Sequence, residues 1–273
     1  MTLHIMADLE QGSDEWHAAR RGIVTASAVG QLLTIDSPDA LTVQCAKCAA
    51  LENQPCLSLN HKQPTPIAGV HEARRRTVAE LPAMPVVADN DTHRGLTTLL
   101  VAERITGWTD PTYVNADMWR GVECEPIARD IYSGHYQQAT EVGFILRVED
   151  GWQLGYSPDG LVGTDGLIEI KSPRAKTHLN TILADEVPAF YMPQLQAGLL
   201  VSGRDWIDFV SYVGGMPLWV KRVLPDPRWF EAIVAAVTRF ETTAAEMVAA
   251  YEKATKGLPA TERLPGYGEI EAA

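Results

Sequence analysis

Asp159 stands in the run Ser157-Pro158-Asp159-Gly160, and ten residues later come Glu169 and Lys171 with a single isoleucine between them. In an extended strand alternate residues share a face, so Glu169 and Lys171 point one way while Ile168 and Ile170 point the other. Two carboxylates and an ammonium converging on one spot do not make a hydrophobic face. They suit a site that holds a divalent cation and polarises a water. The bland alternative for the Glu-x-Lys fragment alone is an exposed hairpin with an ordinary surface ion pair. The surroundings favour the site. Ser157-Pro158-Asp159-Gly160 sets a turn directly before a strand, and Asp165-Gly166 is a hairpin signal between two apolar runs, so the chain doubles back and carries Asp159 towards Glu169.

The elements that must position these groups follow from periodicity. Strands are expected over 142–148, 152–156 and 166–171, a helix over 176–185, and a second helix from Tyr191 to Ser202 carrying Gln194 and Gln196. Two further strands, 206–212 and 218–223, precede a long helix capped by Asp226 and running to about 254. Upstream, Ser13 or Asp14 caps a helix that begins an amphipathic stretch over 11–34. Helical spacing returns at 95–106 and at 116–133, where Trp119, Ile127 and Ile131 fall on one apolar face. Trp16 and Trp119 are both expected in the core. The pattern is α/β (α+β), a central mixed sheet flanked by helices.

Between about 36 and 92 the character changes: this stretch holds three of the four cysteines, six prolines and few periodic runs. It reads as an insertion at 40–92, with 1–39 and 93–273 forming the main domain. Cys45-x2-Cys48-x7-Cys56, followed by His71, supplies three thiolates and an imidazole, a tetrahedral set for structural Zn²⁺. His61 competes with His71, which is preferred because His71-Glu-Ala-Arg-Arg-Arg starts a helix and adds basic charge. Pairing within the insertion leaves an odd cysteine, which disfavours disulfides, and a histidine is a less usual ligand for an iron–sulfur cluster. Cys124 reads as a buried apolar residue.

The chain has 273 residues, 46% of them hydrophobic, and a formal net charge of -12. Such acidity argues against a protein that coats nucleic acid nonspecifically, but charge is local. Basic pairs and triplets occur at Arg20-Arg21, Arg74-Arg75-Arg76, and Arg174 with Lys176. The N-terminus lacks a basic, apolar leader and no apolar run is long enough to span a bilayer, so a cytoplasmic location without membrane attachment is expected.

Five blocks in order resemble the lambda-exonuclease and YqaJ-like viral recombinase family, within the restriction-endonuclease-like nucleases. They are Gln11-Gly12…Glu15-Trp16…Arg20…Gly22…Thr25-Ala26-Ser27, Arg120-Gly121…Glu125-Pro126…Ala128-Arg129, Ser157-Pro158-Asp159-Gly160, Glu169-Ile170-Lys171 and Tyr191…Gln194…Gln196. The resemblance implies that Asp159 and Glu169 hold a catalytic Mg²⁺ or Mn²⁺ and that Glu125 adds a carboxylate. It implies that Lys171 orients or helps deprotonate the attacking water, with Gln194 near that water or the scissile strand. Arg20 and Ser27 fall where the family binds a terminal 5′ phosphate. The implied activity is 5′→3′ exonucleolytic degradation of double-stranded DNA ends, leaving 3′ overhangs for phage-type recombination in a bacterial host cell. A single-strand annealing protein is the implied partner and a ring-like homo-oligomer, a trimer, the implied assembly. The insertion departs from the family pattern and resembles small zinc fingers of phage proteins, with Arg74 and Arg75, and Arg76 beside them, expected to contact DNA. Two other readings are an endonuclease or defence-system nuclease with the same metal chemistry, and a DNA-binding zinc module on a nuclease scaffold. All four of Glu125, Asp159, Glu169 and Lys171 are present, which disfavours the last.

Overall fold

The computed structural model describes residues 2–59, 63–110 and 115–262. In chain order the elements are β1 (Thr2–Met6), α1 (Asp14–Arg20), β2 (Leu33–Asp36), α2 (Glu72–Ala79), β3 (Met84–Val87), α3 (Asp91–Thr106), α4 (Ala116–His135) and β4 (Ala139–Thr140). They continue with β5 (Phe144–Glu149), β6 (Trp152–Tyr156), β7 (Gly160–Val162), β8 (Gly166–Lys171), α5 (Ala175–Ala184), α6 (Met192–Ser202), β9 (Trp206–Ser211), β10 (Trp219–Val223) and α7 (Pro227–Thr255). Two compact units result, one from Met1–Leu33 with Val87–Ala273 and the other from Thr34–Val86.

The first unit holds a five-stranded sheet in the order β10-β9-β8-β7-β4 and a three-stranded antiparallel sheet in the order β1-β5-β6. In the larger sheet β8 and β9 run parallel, with Glu169 opposite Phe209 and Lys171 opposite Ser211; the other neighbours are antiparallel. A parallel pair needs a long crossover, which α5 and α6 supply. The mixed sheet with helices is the α/β (α+β) architecture expected from the sequence.

Burial splits β8 by parity. Leu167 joins the larger core with Tyr156, Leu195 and Phe209, whereas Ile168 and Ile170 join a second core with Ala128, Tyr132 and Val210. The buried stripe of α4 is therefore Ala128, Arg129 and Tyr132. Trp119 and Ile127 are exposed at 57% and 49%, which corrects the apolar face expected through them. Helical spacing marks a possible stripe, and the sheet decides which stripe is covered. Trp16 is likewise only half-buried.

α3 begins at Asp91, four residues before its apolar periodicity, because the Asn90 side chain accepts from the His93 N–H and caps it. Its Glu103 accepts from the Gly22 N–H at 2.7 Å, and Arg104 makes a two-pronged pair with Glu241 of α7 at 2.7 Å. Gly22 has φ +67° and a Cβ there would lie 2.5 Å from Arg104 Cγ, so glycine is required. Among the described residues no helix is long and apolar enough to cross a membrane.

In the second unit β2 pairs with β3, and α2 packs near a small core of Cys45, Ala50 and Cys56.

Candidate active site and metal centres

Glu169 is 1% exposed, and a carboxylate so placed must be hydrogen-bonded. Its Oε1 accepts from Lys171 Nζ at 2.7 Å and from the Gln194 amide, and its Oε2 accepts from the Tyr156 hydroxyl at 3.1 Å. Strand β8, helix α6 and strand β6 thus meet on one side chain. Gly198 lets α6 approach, since a Cβ there would sit 2.8 Å from the Tyr156 ring.

Asp159 follows β6 in the turn to β7. Its Oδ2 accepts from the Ile170 N–H at 2.6 Å and its main-chain carbonyl accepts from Arg129 Nε at 2.6 Å. Its Oδ1 takes no hydrogen bond among the described residues. Arg129, buried on α4, also donates to Glu125 and to Glu141. The Gln11 amide ties this arrangement to the N-terminal segment, donating to the carbonyls of Val142 and Pro158 at 3.2 Å each. A cavity of about 360 Å³ is lined by residues that include Gln11, Glu125, Arg129 and Glu141.

The electrostatics are those of an acidic cluster short of positive charge. Burial, then the charges of Glu169 and Glu125, push the Asp159 carboxyl well above the usual carboxylate range. Burial and Glu169 also raise Glu125, against the opposing pull of Arg129 and Lys171. Burial opposes the Lys171 ammonium, but the charges of Glu169 and Asp159 outweigh it and hold Lys171 protonated well beyond neutral pH. Buried carboxylates repelling one another, one with an unused oxygen, match the donor set that a small hard dication takes.

The sequence-predicted residues Glu125, Asp159, Glu169, Lys171 and Gln194 therefore meet in one network. Sequence reasoning missed Tyr156 and gave Arg129 no role. A tyrosine in a strand reads as core, and an arginine four residues after Glu125 reads as a helix-surface partner.

Arg20 and Ser27 come to the same region by way of β6. The chain at Val24–Ala26 runs alongside Gly155, bonding Gly155 N–H to Val24 O at 3.0 Å and Ala26 N–H to Gly155 O at 2.7 Å. Arg20 lies over the Trp16 ring at 3.7 Å and donates to Ser157 Oγ at 3.2 Å; the Trp16 indole donates to the same oxygen at 2.9 Å. Trp16 is thus the platform under Arg20 instead of a core residue, which corrects the expectation. Burial lowers the Arg20 pKa to about 10, with Glu103 opposing, and the group remains cationic at neutral pH. Ser27 is exposed, its hydroxyl 3.2 Å from Thr25 Oγ1.

In the second unit Cys45, Cys48, Cys56 and His71 present ligand atoms within 4.8 Å of one another. Zinc bonds of about 2.3 Å in tetrahedral geometry space ligand atoms by about 3.8 Å, so the set fits Zn²⁺. The backbone N–H groups of Leu57 and His71 aim at the sulfurs of Cys48 and Cys56 at 3.4 and 3.5 Å, as metal-bound thiolates require. Burial pushes the Cys48 thiol up, yet hydrogen bonds from the Leu57 and Ala50 N–H groups and from Cys45 and His71 bring it down to about 6. Burial raises Cys45. All four cysteines are free thiols, with Cys124 half-buried on α4. His61 lies outside the described residues.

One expected DNA contact is overturned. Arg74 is fully buried, and its guanidinium donates to the carbonyls of Val43, Gln54, Leu41 and Leu51 at 2.7 to 3.0 Å. The fifth N–H, on Nη1, faces Cys56 Sγ at 3.6 Å, so no donor is left to reach a phosphate. Arg75 and Arg76 are exposed and lie 3.8 and 3.6 Å from Glu72.

The YqaJ-like viral recombinase domain matches residues 15–205, most of the chain. The chain belongs to the YqaJ-like viral recombinase family. An alkaline exonuclease from Laribacter hongkongensis is 28% identical over 89% of this chain and 99% of its own, with a TM-score of 0.64. The same enzyme in complex with dAMP is 27% identical over 90% of this chain and 100% of its own, also with a TM-score of 0.64. No curated protein sequence matches. Membership of this family, with homology to an exonuclease over nearly the whole length of both chains, makes this chain an exonuclease, a hydrolase.

Proposed function

We propose that the chain is a Mg²⁺- or Mn²⁺-dependent 5′→3′ exonuclease that acts on double-stranded DNA ends and leaves 3′ single-stranded overhangs for phage-type recombination. The observation that carries this reading is the network of Asp159, Glu169, Lys171, Glu125 and Gln194 in a chain of this family. Asp159, Glu169 and Glu125 would hold the dication, which neutralises charge on the scissile phosphate and favours ionisation of a bound water. Tyr156 and Gln194 fix the Glu169 carboxylate in one rotamer. Arg129 holds Glu125 and the Asp159 carbonyl. The Lys171 ammonium, kept charged by two carboxylates, orients the attacking water and can donate to a non-bridging phosphate oxygen. Arg20, stacked on Trp16 and donating to Ser157, offers a guanidinium to a 5′ phosphate and so sets polarity, with the exposed Ser27 hydroxyl as a second phosphate ligand. The Cys45, Cys48, Cys56 and His71 set holds one structural Zn²⁺. The protein acts in the bacterial cytoplasm with an annealing partner, as a ring-like homo-oligomer around the duplex.

The test is incubation with Mg²⁺ and linear duplexes labelled on one strand at either the 5′ or the 3′ end. Early release of 5′-terminal nucleotide with a persisting 3′ label is the expected result. Release of the 3′ label first, or cutting of closed circles at a comparable rate, would overturn the reading.

A further inference from the structure

Outside the carboxylate network, the described surface next to Lys171 carries an arrangement with no part in the chemistry above. Asp117, in the first turn of α4, accepts from Arg120 Nη1 at 2.7 Å and from both Arg174 Nε and Nη2 at 3.1 and 3.0 Å. Arg120 Nε also donates to the carbonyl of Ser172, the residue after Lys171, at 3.0 Å. One carboxylate is thus shared by two guanidiniums, leaving one net positive charge at the exit of β8. The side chains are open to solvent, Arg174 at 76%, Asp117 at 47% and Arg120 at 35%. The adjoining first turn of α5 contains Lys176 and no acidic residue. In a chain of net charge -12, this concentration of cations beside the proposed catalytic lysine is out of character.

An exposed ion pair of this kind contributes little to stability, so it gives the fold little reason to keep it. Both arginines present planar forks suited to phosphate oxygens. Arg174 lies three positions after Lys171, a span of at most about 10 Å, or about three nucleotides of rise along one strand.

We propose that Arg120 and Arg174 form a phosphate clamp for the DNA strand a few nucleotides from the scissile bond, with Asp117 as the internal carboxylate that occupies the clamp until a phosphate displaces it. The proposal rests on the exonuclease reading. It makes Asp117 an antagonist of DNA binding, and that sign separates a clamp from a structural latch. If the triad only braces α4 against β8, removing Asp117 or Arg174 weakens the protein alike. If it is a clamp, the two substitutions act in opposite directions.

The experiment measures fluorescence anisotropy of a labelled, 5′-phosphorylated duplex with full-length protein in Ca²⁺ over a series of salt concentrations, with melting temperatures recorded for each variant. Arg174→Ala is expected to weaken binding about 3- to 10-fold and to reduce the slope of log K against log salt by about 1. Asp117→Asn is expected to tighten binding and leave the slope at least as steep as that of the wild type. Weaker binding by both variants, or an unchanged affinity and slope for Arg174→Ala, would overturn the clamp. Wild-type cleavage of the same duplex in Mg²⁺ is run alongside. If the wild type cleaves while the variants fail the sign test, only the clamp falls; if it neither binds nor cleaves DNA, the exonuclease reading falls with it.

Discussion

Replacing Arg74 by alanine is the sharpest perturbation the second unit offers, because the sequence and the structure assign that residue opposite fates. The guanidinium makes four hydrogen bonds to main-chain carbonyls at 2.7 to 3.0 Å, stitching 41, 43, 51 and 54 to α2. Hydrogen bonds from a charged donor are worth about 1.5–3 kcal/mol each, so even at the lower end the loss is about 6 kcal/mol before the cavity is counted. A unit of 53 residues (34 to 86) has about 3–8 kcal/mol of stability to lose, and a core of Cys45, Ala50 and Cys56 places it at the low end. Arg74→Ala is therefore expected to unfold this unit. Limited proteolysis should nick the chain first within 34–86, and a chromogenic chelator should draw bound zinc from the variant faster than from the wild type. Arg74→Met, which keeps the bulk and removes the donors, should behave like alanine. Arg75→Ala, whose side chain is 61% exposed and 3.8 Å from Glu72, should leave protease resistance unchanged. An Arg74→Ala protein as resistant as the wild type but with weaker DNA affinity would refute this reasoning and return Arg74 to the DNA.

Lys171→Ala should lower Mg²⁺-dependent cleavage by at least about 100-fold in single-turnover assays while the melting temperature holds, and near-normal rates would move the centre elsewhere. Arg129→Met should raise the Mg²⁺ concentration needed for half-maximal cleavage by about 10- to 100-fold; an unchanged requirement would make its bonds to Glu125 and Asp159 merely structural. The folded pKa of Asp159 lies above its unfolded value, so its contribution to the metal-free fold is fully present below about pH 4 and is lost as pH rises through the folded value. Asp159→Asn should accordingly raise the melting temperature in EDTA by more at pH 8 than at pH 5, and a gain that shrinks with pH would contradict the sign. Arg20→Ala should slow digestion of 5′-phosphorylated ends far more than of 5′-hydroxyl ends, whereas equal loss on both would make the Arg20 stack on Trp16 a packing device.

The strands that carry the chemistry were legible because their signals are local. Trp152–Tyr156 and Gly166–Lys171 have the bounds that alternation and the Asp165-Gly166 turn announce. The cysteine and histidine spacing likewise reports a ligand set without any knowledge of the fold. What could not be read depends on partners distant in sequence. Tyr156 serves Glu169 only because α6 and β8 close over it, and Arg129 reaches Asp159 only because α4 lies against β8. Three consecutive arginines look like a solvated run; 74 is buried because the chain between 41 and 54 curls around that one guanidinium. Trp119 failed for the opposite reason, since its spacing on α4 is right but the sheet covers a neighbouring stripe.

The division of β8 between two cores has a further consequence for how this site tolerates change. Beyond Leu167, the odd positions 169 and 171 carry the chemistry and the even positions 168 and 170 the packing of the second core, so a shift of one residue against β9 would drive Glu169 and Lys171 among Ala128, Tyr132 and Val210 and turn two isoleucines towards Gln194. A shift of two would restore the faces yet displace the carboxylate by about 6.6 Å, beyond reach of Tyr156 and Asp159. Single insertions or deletions within Gly166–Lys171 are thus errors of reading frame at the level of structure, with no conservative version available. Length in this strand is as much a catalytic property as the identity of the residues it carries.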